Sequence, residues 1–204
     1  MINISAKNLS KRFGFRKVFE NISFDLAMPS AMAITGPNGS GKSTLLKIIS
    51  RLINPSQGEI VITHDSKAIA REKLSAFMTF ISPEMNFYSE LSGMENLKFF
   101  VTVSGGTYSE DDCLTALDDV GLGSRGRDMT CEYSSGMIMR LKYALAFLKK
   151  PEILIIDEPA TNLDNLGKEL IYRFMEDHRK KGILIYATNE ENEIRIADEC
   201  VDLA

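Results

Sequence analysis

The sequence predicts an α/β fold with a mostly parallel sheet, an antiparallel β piece from its first strands, and a helical insertion over roughly residues 84–150. Three observations predict it. A glycine-rich loop at 36–43 joins an apolar run at 31–35 to a helix-like run at 45–52. A second apolar run, 153–156, ends in two carboxylates, Asp157 and Glu158. Between these strand signals the apolar residues fall at three-to-four spacing, the period of a helix with one buried face. With 204 residues and 44% hydrophobic content, one domain over 1–204 with a real core is expected.

Taken in order, 2–9 and 18–26 read as strands, the second alternating Ile22, Phe24 and Leu26 around polar neighbours. After the glycine loop and its helix, 58–63 is a short strand and 77–82 an apolar run stopped by Pro83. Segments 95–103, 110–120 and 135–148 are helical by period, separated by breaks at Gly105-Gly106 and at 121–126. The run 153–156 is a buried strand, 166–179 a helix closed by Lys180-Lys181-Gly182, and 183–187 a further buried strand. No internal repeat or low-complexity segment interrupts this plan.

Charge narrows the partners. Lys and Arg total 24 against 28 Asp and Glu, a net charge of −4 with no basic tract. Nucleic acid is therefore not expected as a partner, nor is an anionic lipid surface. The apolar runs are far shorter than a bilayer span, and the start at Met1-Ile2-Asn3-Ile4 lacks the regions of a signal peptide. A cytoplasmic protein is expected, with any membrane role exercised through a partner. Cys113, Cys131 and Cys200 lack metal-ligand spacing and read as reduced structural thiols.

The loop Gly36-Pro37-Asn38-Gly39-Ser40-Gly41-Lys42-Ser43 fills the G-x-x-x-x-G-K-[ST] template, with strand and helix on the required sides. Its glycines let the backbone approach a nucleotide's phosphates with N–H groups turned inward. Lys42 supplies a cation at the β/γ position and the Ser43 hydroxyl a ligand for Mg²⁺. The following helix presents its positive end to the same anion. An ordinary glycine turn would need neither the lysine nor the hydroxyl, so the core is read as that of a P-loop NTPase. Asp157 and Glu158 emerge at a strand's C-terminal end, where open α/β sheets bind ligands. Asp157 is suited to hold Mg²⁺ beside Ser43, and Glu158 to act as general base toward an attacking water. No Asn-Lys-x-Asp motif marks a GTPase.

With these stand Tyr133-Ser134-Ser135-Gly136-Met137 and Asn162-Leu163-Asp164. In this order the motifs resemble the nucleotide-binding subunit of ATP-binding cassette (ABC) transporters, over essentially the whole chain. The resemblance implies ATP and Mg²⁺ as cofactors, a second cassette (homo- or heterodimer) and a membrane permease as partners. ATP would lie against Phe13, Gly36, Pro37, Asn38, Gly39, Ser40, Gly41, Lys42, Ser43 and Thr44. Phe13 matches the family's adenine-stacking aromatic, with Phe15 the competing candidate. Ser134, Ser135 and Gly136 occupy the signature loop that contacts the γ-phosphate on the opposite cassette. Asp164 matches the aspartate that ties each site to that cassette; it can also cap the helix after it. The permease would meet the helical insertion.

Three departures qualify the resemblance. The family's loop glutamine, a Mg²⁺ contact, is replaced by Pro83 or Glu84; a glutamate could still ligate the metal, a proline could not. The switch histidine after 183–187 is Asn189, whose amide donates a hydrogen bond but cannot become cationic. His64 and His178 lie elsewhere and read as surface residues. The signature form Tyr-Ser-Ser-Gly-Met resembles that of export-type cassettes. The resulting expectation is an ATPase powering an exporter, with Glu158 and Asn189 at the reacting phosphate. A hydrolysis-impaired regulatory cassette and a soluble, non-transport ABC ATPase are the rival readings.

Overall fold

A computed structural model describes residues 1–203. The chain divides into two units, the first comprising Met1–Phe80, Glu152–Pro159 and Met175–Ala204, the second Ile81–Pro151 and Ala160–Phe174. The second unit therefore begins a little before residue 84 and takes in a later stretch besides the insertion.

The first unit carries both sheets. Strands β1 (Ile2–Phe13) and β2 (Arg16–Ala27) form a hairpin, extended by β4 (Gln57–His64) and the two-residue β5 (Lys67–Ala68) in the order β2-β1-β4-β5. The described pairings of this sheet are antiparallel. The second sheet has the order β6-β7-β8-β3-β9, from β3 (Ser30–Thr35), β6 (Met78–Ile81), β7 (Ile153–Asp157), β8 (Ile183–Ala187) and β9 (Glu199–Asp202). Strand β3 lies parallel to β8 on one edge and β9 on the other, and β7 lies parallel to β8. Every residue of β7 and β8 is buried, as expected of parallel strands covered on both faces. Alternation is confined to the antiparallel sheet, where Ile2, Ile4 and Ala6 of β1 point inward.

One continuous core joins these layers. Ile4, Leu26 and Ile62 from the antiparallel sheet meet Met32, Ile34, Ile155 and Ile185 from the parallel one, with Leu45, Ile48 and Ile49 of α1 (Lys42–Ile49). At about 25 cal/mol per Å² of apolar surface removed from water, each such side chain contributes about 2 kcal/mol. Sequence periodicity had left β5 and β9 unassigned, because two and four residues are too few to show a period; β9 exists because it can pair with an edge of β3.

The second unit holds α2 (Gly93–Val103), α3 (Glu110–Asp119), α4 (Ser135–Lys149) and the first part of α5 (Asn165–Arg179). Capping boxes start two of them: Ser92 with Glu95 for α2, and Ser109 with Asp112 for α3. Leu97, Val101, Leu117, Leu141, Tyr143 and Leu148 are among its buried residues. Cys113 is buried here, and burial raises its thiol pKa, whereas Cys131 and Cys200 are exposed; all three cysteines are free. A short α6 (Glu191–Ile194) follows β8 in the first unit.

The expectation that both histidines lie at the surface is corrected for His178, which is 3% exposed. Its Nε2 lies 3.3 Å from the Ile183 carbonyl, and a Cβ on Gly182 would come within 2.6 Å of that atom. The polar neighbours Lys180 and Lys181 made the segment look solvated, but the 3.6-residue turn carries position 178 to the inner side of α5. Burial pushes the imidazole pKa down to about 4 from its ordinary 6.5. The unfolded chain then binds the proton more readily, so stability is full above pH 6.5 and declines as pH falls toward 4. The total loss expected is about 3 kcal/mol. Urea unfolding between pH 7.5 and 4.5 should show this decline, and His178→Asn should flatten it over that interval.

Candidate functional site

Strand β3 delivers the chain to Gly36, and α1 carries it away from Lys42; both ends are fixed by core packing, so the six residues between them form a constrained loop. Gly41 is the N-cap, at φ 108° in the left-handed region, and a Cβ there would collide with Val18 Cγ1. No side chain caps α1, and its first N–H groups have no intrahelical partners, the condition for accepting an anion. Lys42 is only 9% exposed. Its ammonium donates to the carbonyl oxygens of Gly36 (2.6 Å) and Pro37 (3.3 Å).

Asn189 reaches this same lysine. With its amide oriented to satisfy both ends, Asn189 Oδ1 accepts from Lys42 Nζ at 3.2 Å, while Nδ2 donates to the carbonyls of Gly36 (2.7 Å) and Thr188 (3.0 Å). The parallel pairing of β3 with β8 places the two strand ends side by side, which is why residues so far apart in sequence meet here.

A cavity of about 400 Å³ opens over the loop. Asn38, Gly39, Gly41, Lys42, Ser43 and Thr44 of the loop and the start of α1 line it, together with Asp157 and Glu158 and the hairpin residues Phe13, Arg16 and Val18. Asp157 is buried at the end of β7. Glu158 follows at φ 56°, left-handed for a residue with a Cβ, at a cost of about 1–2 kcal/mol. Its N–H is held by the Ala187 carbonyl at 3.1 Å, and this kink brings two consecutive carboxylate residues to one cavity. Phe13, not Phe15, lines the cavity; Phe15 sits at the hairpin turn, fully exposed. The buried Ser40 hydroxyl has no hydrogen-bond partner among the described residues, a polar atom left over in the loop.

These residues fit Mg²⁺ with a nucleotide. The Ser43 hydroxyl and the Asp157 carboxylate are hard oxygen donors on one cavity, and two protein ligands suit a cation that keeps waters and shares phosphate oxygens. Glu84 is exposed and belongs to the second unit, as do Ser134, Ser135 and Gly136. There Lys142, buried in α4, donates to the carbonyls of Ser82 (2.8 Å) and Pro83 (3.2 Å) and holds the turn that carries Glu84. Burial lowers the Lys142 ammonium pKa.

Ser134 is the N-cap of α4, its Oγ accepting from the Met137 N–H at 3.2 Å. Ser135 is exposed, and at Gly136 a Cβ would stand 2.8 Å from the Asn162 carbonyl, so only glycine permits that approach. Asp164 Oδ1 accepts from Gly167 N–H (2.9 Å) and Arg140 Nη2 (2.5 Å), and these contacts, the backbone one foremost, hold its carboxyl below the usual range. It therefore does cap α5. Sequence reasoning missed Arg16, Val18 and Lys142. The signal for Arg16 was the Gly14 turn, which pairs Phe13 with Arg16 across the hairpin.

A parallel sheet with a lysine-bearing glycine loop, two acids at the end of another strand and an aromatic wall defines a nucleotide-binding P-loop protein. Comparison with known proteins narrows this. The sequence profile described as ABC transporter matches residues 19–161. The lantibiotic transport ATP-binding protein SrtF of Streptococcus pyogenes is 31% identical over 89% of this chain and 77% of its own length. The cytochrome c biogenesis ATP-binding export protein CcmA of Vibrio cholerae is 30% identical over 93% of this chain and 91% of its own. A dimeric, post-hydrolysis structure of the cassette MJ0796 with ADP and Pi superposes with a TM-score of 0.86 at 22% identity, covering 98% of this chain and 93% of the other. The chain belongs to the ATP-binding proteins of ABC transporters, a family of ATPases. No described helix is long and apolar enough to cross a membrane.

Proposed function

We propose that this chain is the ATP-driven motor subunit of an exporter, binding Mg·ATP between Phe13 and the phosphate loop and pairing with a second cassette. The gathering of Phe13, Lys42, Ser43, Asp157 and Glu158 on one cavity carries this reading. Adenine stacks on Phe13, whose ring offers a π-face. The loop N–H groups and Lys42 take the phosphates, and Lys42 exchanges its carbonyl partners for phosphate oxygens. Ser43 and Asp157 would hold Mg²⁺, which would supply neutralisation of the phosphate charge. Glu158 orients a water in line with the γ-phosphate and accepts its proton.

Asn189 would donate its amide N–H to a γ-phosphate oxygen on releasing one of the Gly36 and Thr188 carbonyls it holds. Ser134, Ser135 and Gly136 serve the nucleotide on the opposite cassette, and Asp164 belongs to the loop between the two sites. A relative named for export and another named for lantibiotic transport support the export direction. The helical unit is assigned to the permease, which would keep the protein at the cytoplasmic face of a membrane. Glu84 is a further Mg²⁺ ligand in this scheme, in place of the family's glutamine.

Two variants test the scheme. Glu158→Gln should lose at least about 10²-fold in turnover with ATP affinity retained, since the base is used only in the chemical step. Gel filtration with Mg·ATP should then show a dimer if the cassette pairs with itself; a monomer at high concentration would point to a different cassette as partner. Asn189→His should raise turnover without much change in ATP affinity, because a cationic donor improves charge stabilisation chiefly in the transition state. Unchanged or lower turnover would mean that the asparagine is not what limits hydrolysis, and would turn attention to Glu84 and the altered loop.

A further inference from the structure

The cavity is lined by an arginine, Arg16, with no role in the scheme above. Phe13 and Arg16 are direct cross-strand partners at the tip of the β1–β2 hairpin, so their side chains leave the same face of the ribbon, and both line the cavity. The other cations near the tip of this hairpin are already engaged. Arg12 and Lys17 both hold Glu20, at 3.4 and 3.0 Å. Lys11 donates to the Asn54 carbonyl at 2.7 Å, and its ammonium stands over the Phe13 ring, 4.9 Å from the centroid. Arg16 alone among these four has neither a hydrogen bond nor an ion pair among the described residues.

A guanidinium offers five donors and no acceptor, so its complement is an anion. The nearest carboxylate on its own hairpin, Glu20, is shared by two other cations. Of the groups on a nucleotide whose base rests on Phe13 and whose β- and γ-phosphates rest on Lys42 and the loop, the anion nearest the base is the α-phosphate. We propose that Arg16 is a nucleotide-binding residue that pairs with the α-phosphate. The assignment rests on the reading of the cavity as an ATP site. It gives the hairpin tip two tasks, Phe13 for the base and Arg16 for the phosphate next to it.

Calorimetry with Mg·ATP and with Mg·tripolyphosphate, which has the phosphate chain and no base, separates the tasks. Arg16→Gln should weaken both ligands about tenfold, the worth of one charge-assisted pair. Phe13→Ala should weaken ATP and spare tripolyphosphate. Arg16→Lys, which keeps the charge, should restore most of the lost affinity, and the ionic-strength dependence of ATP binding should be shallower in Arg16→Gln than in the parent. A purely structural role for Arg16 would move neither the rescue nor the salt slope. Unchanged affinity for both ligands in Arg16→Gln, or loss for ATP alone, would overturn the α-phosphate assignment. Failure of the parent protein to bind either ligand would overturn the ATP reading, and the Arg16 assignment with it.

Discussion

A lysine ammonium has to be kept almost dry at the start of α1, and the arrangement of the first unit around it follows from that requirement. Burying an ion costs several kcal/mol unless dipoles replace its water. Here the replacements are the carbonyls of Gly36 and Pro37 and the amide oxygen of Asn189. Two of these come from the loop itself and one from the end of β8, so the loop can close around Lys42 only where β3 and β8 run side by side. The parallel register from Ser30↔Ile183 to Ile34↔Ala187 provides that.

The same strand ends explain why the acids arrive where they do. β7 pairs with β8 in parallel and stops at the Asp157↔Ala187 pair, level with the end of β3. Strands of a parallel sheet must all point their carboxyl ends to one edge, so a glycine loop after one and a carboxylate pair after another become neighbours without contact in sequence. The left-handed backbone of Glu158 is then the local cost of turning a second carboxylate toward the cavity. Its N–H bond to Ala187 anchors the turn to the sheet. The hairpin of β1 and β2 adds the far wall, with Val18 against Gly41 fixing how near that wall stands.

How far the sequence reveals this depends on how local each signal is. The phosphate loop, the acid pair after 153–156 and the Ser134 cap of α4 are each contiguous in sequence, and they were legible. The strands 183–187 and 153–156 were legible because full burial leaves unbroken apolar runs. Features that depend on long-range register were not. Arg16 became a cavity residue through its pairing with Phe13, Asn189 met Lys42 through β3 and β8, and β9 owes its existence to an edge. His178 was misread because its inward direction is set by the phase of α5, while its sequence neighbours are charged. Lys142 carried no signal of its own in the sequence; it lies inside, on the carbonyls of Ser82 and Pro83.

The account stands or falls on Lys42 being held for phosphate and not for the fold. Calorimetric titration of Mg·ATP into Lys42→Ala, alongside urea unfolding of the same variant, tests this most directly. The account predicts that ATP binding is lost by at least about 100-fold, since both a charge and its phosphate contacts disappear, while the cooperative unfolding transition is retained. Undiminished ATP affinity in the folded variant would contradict it.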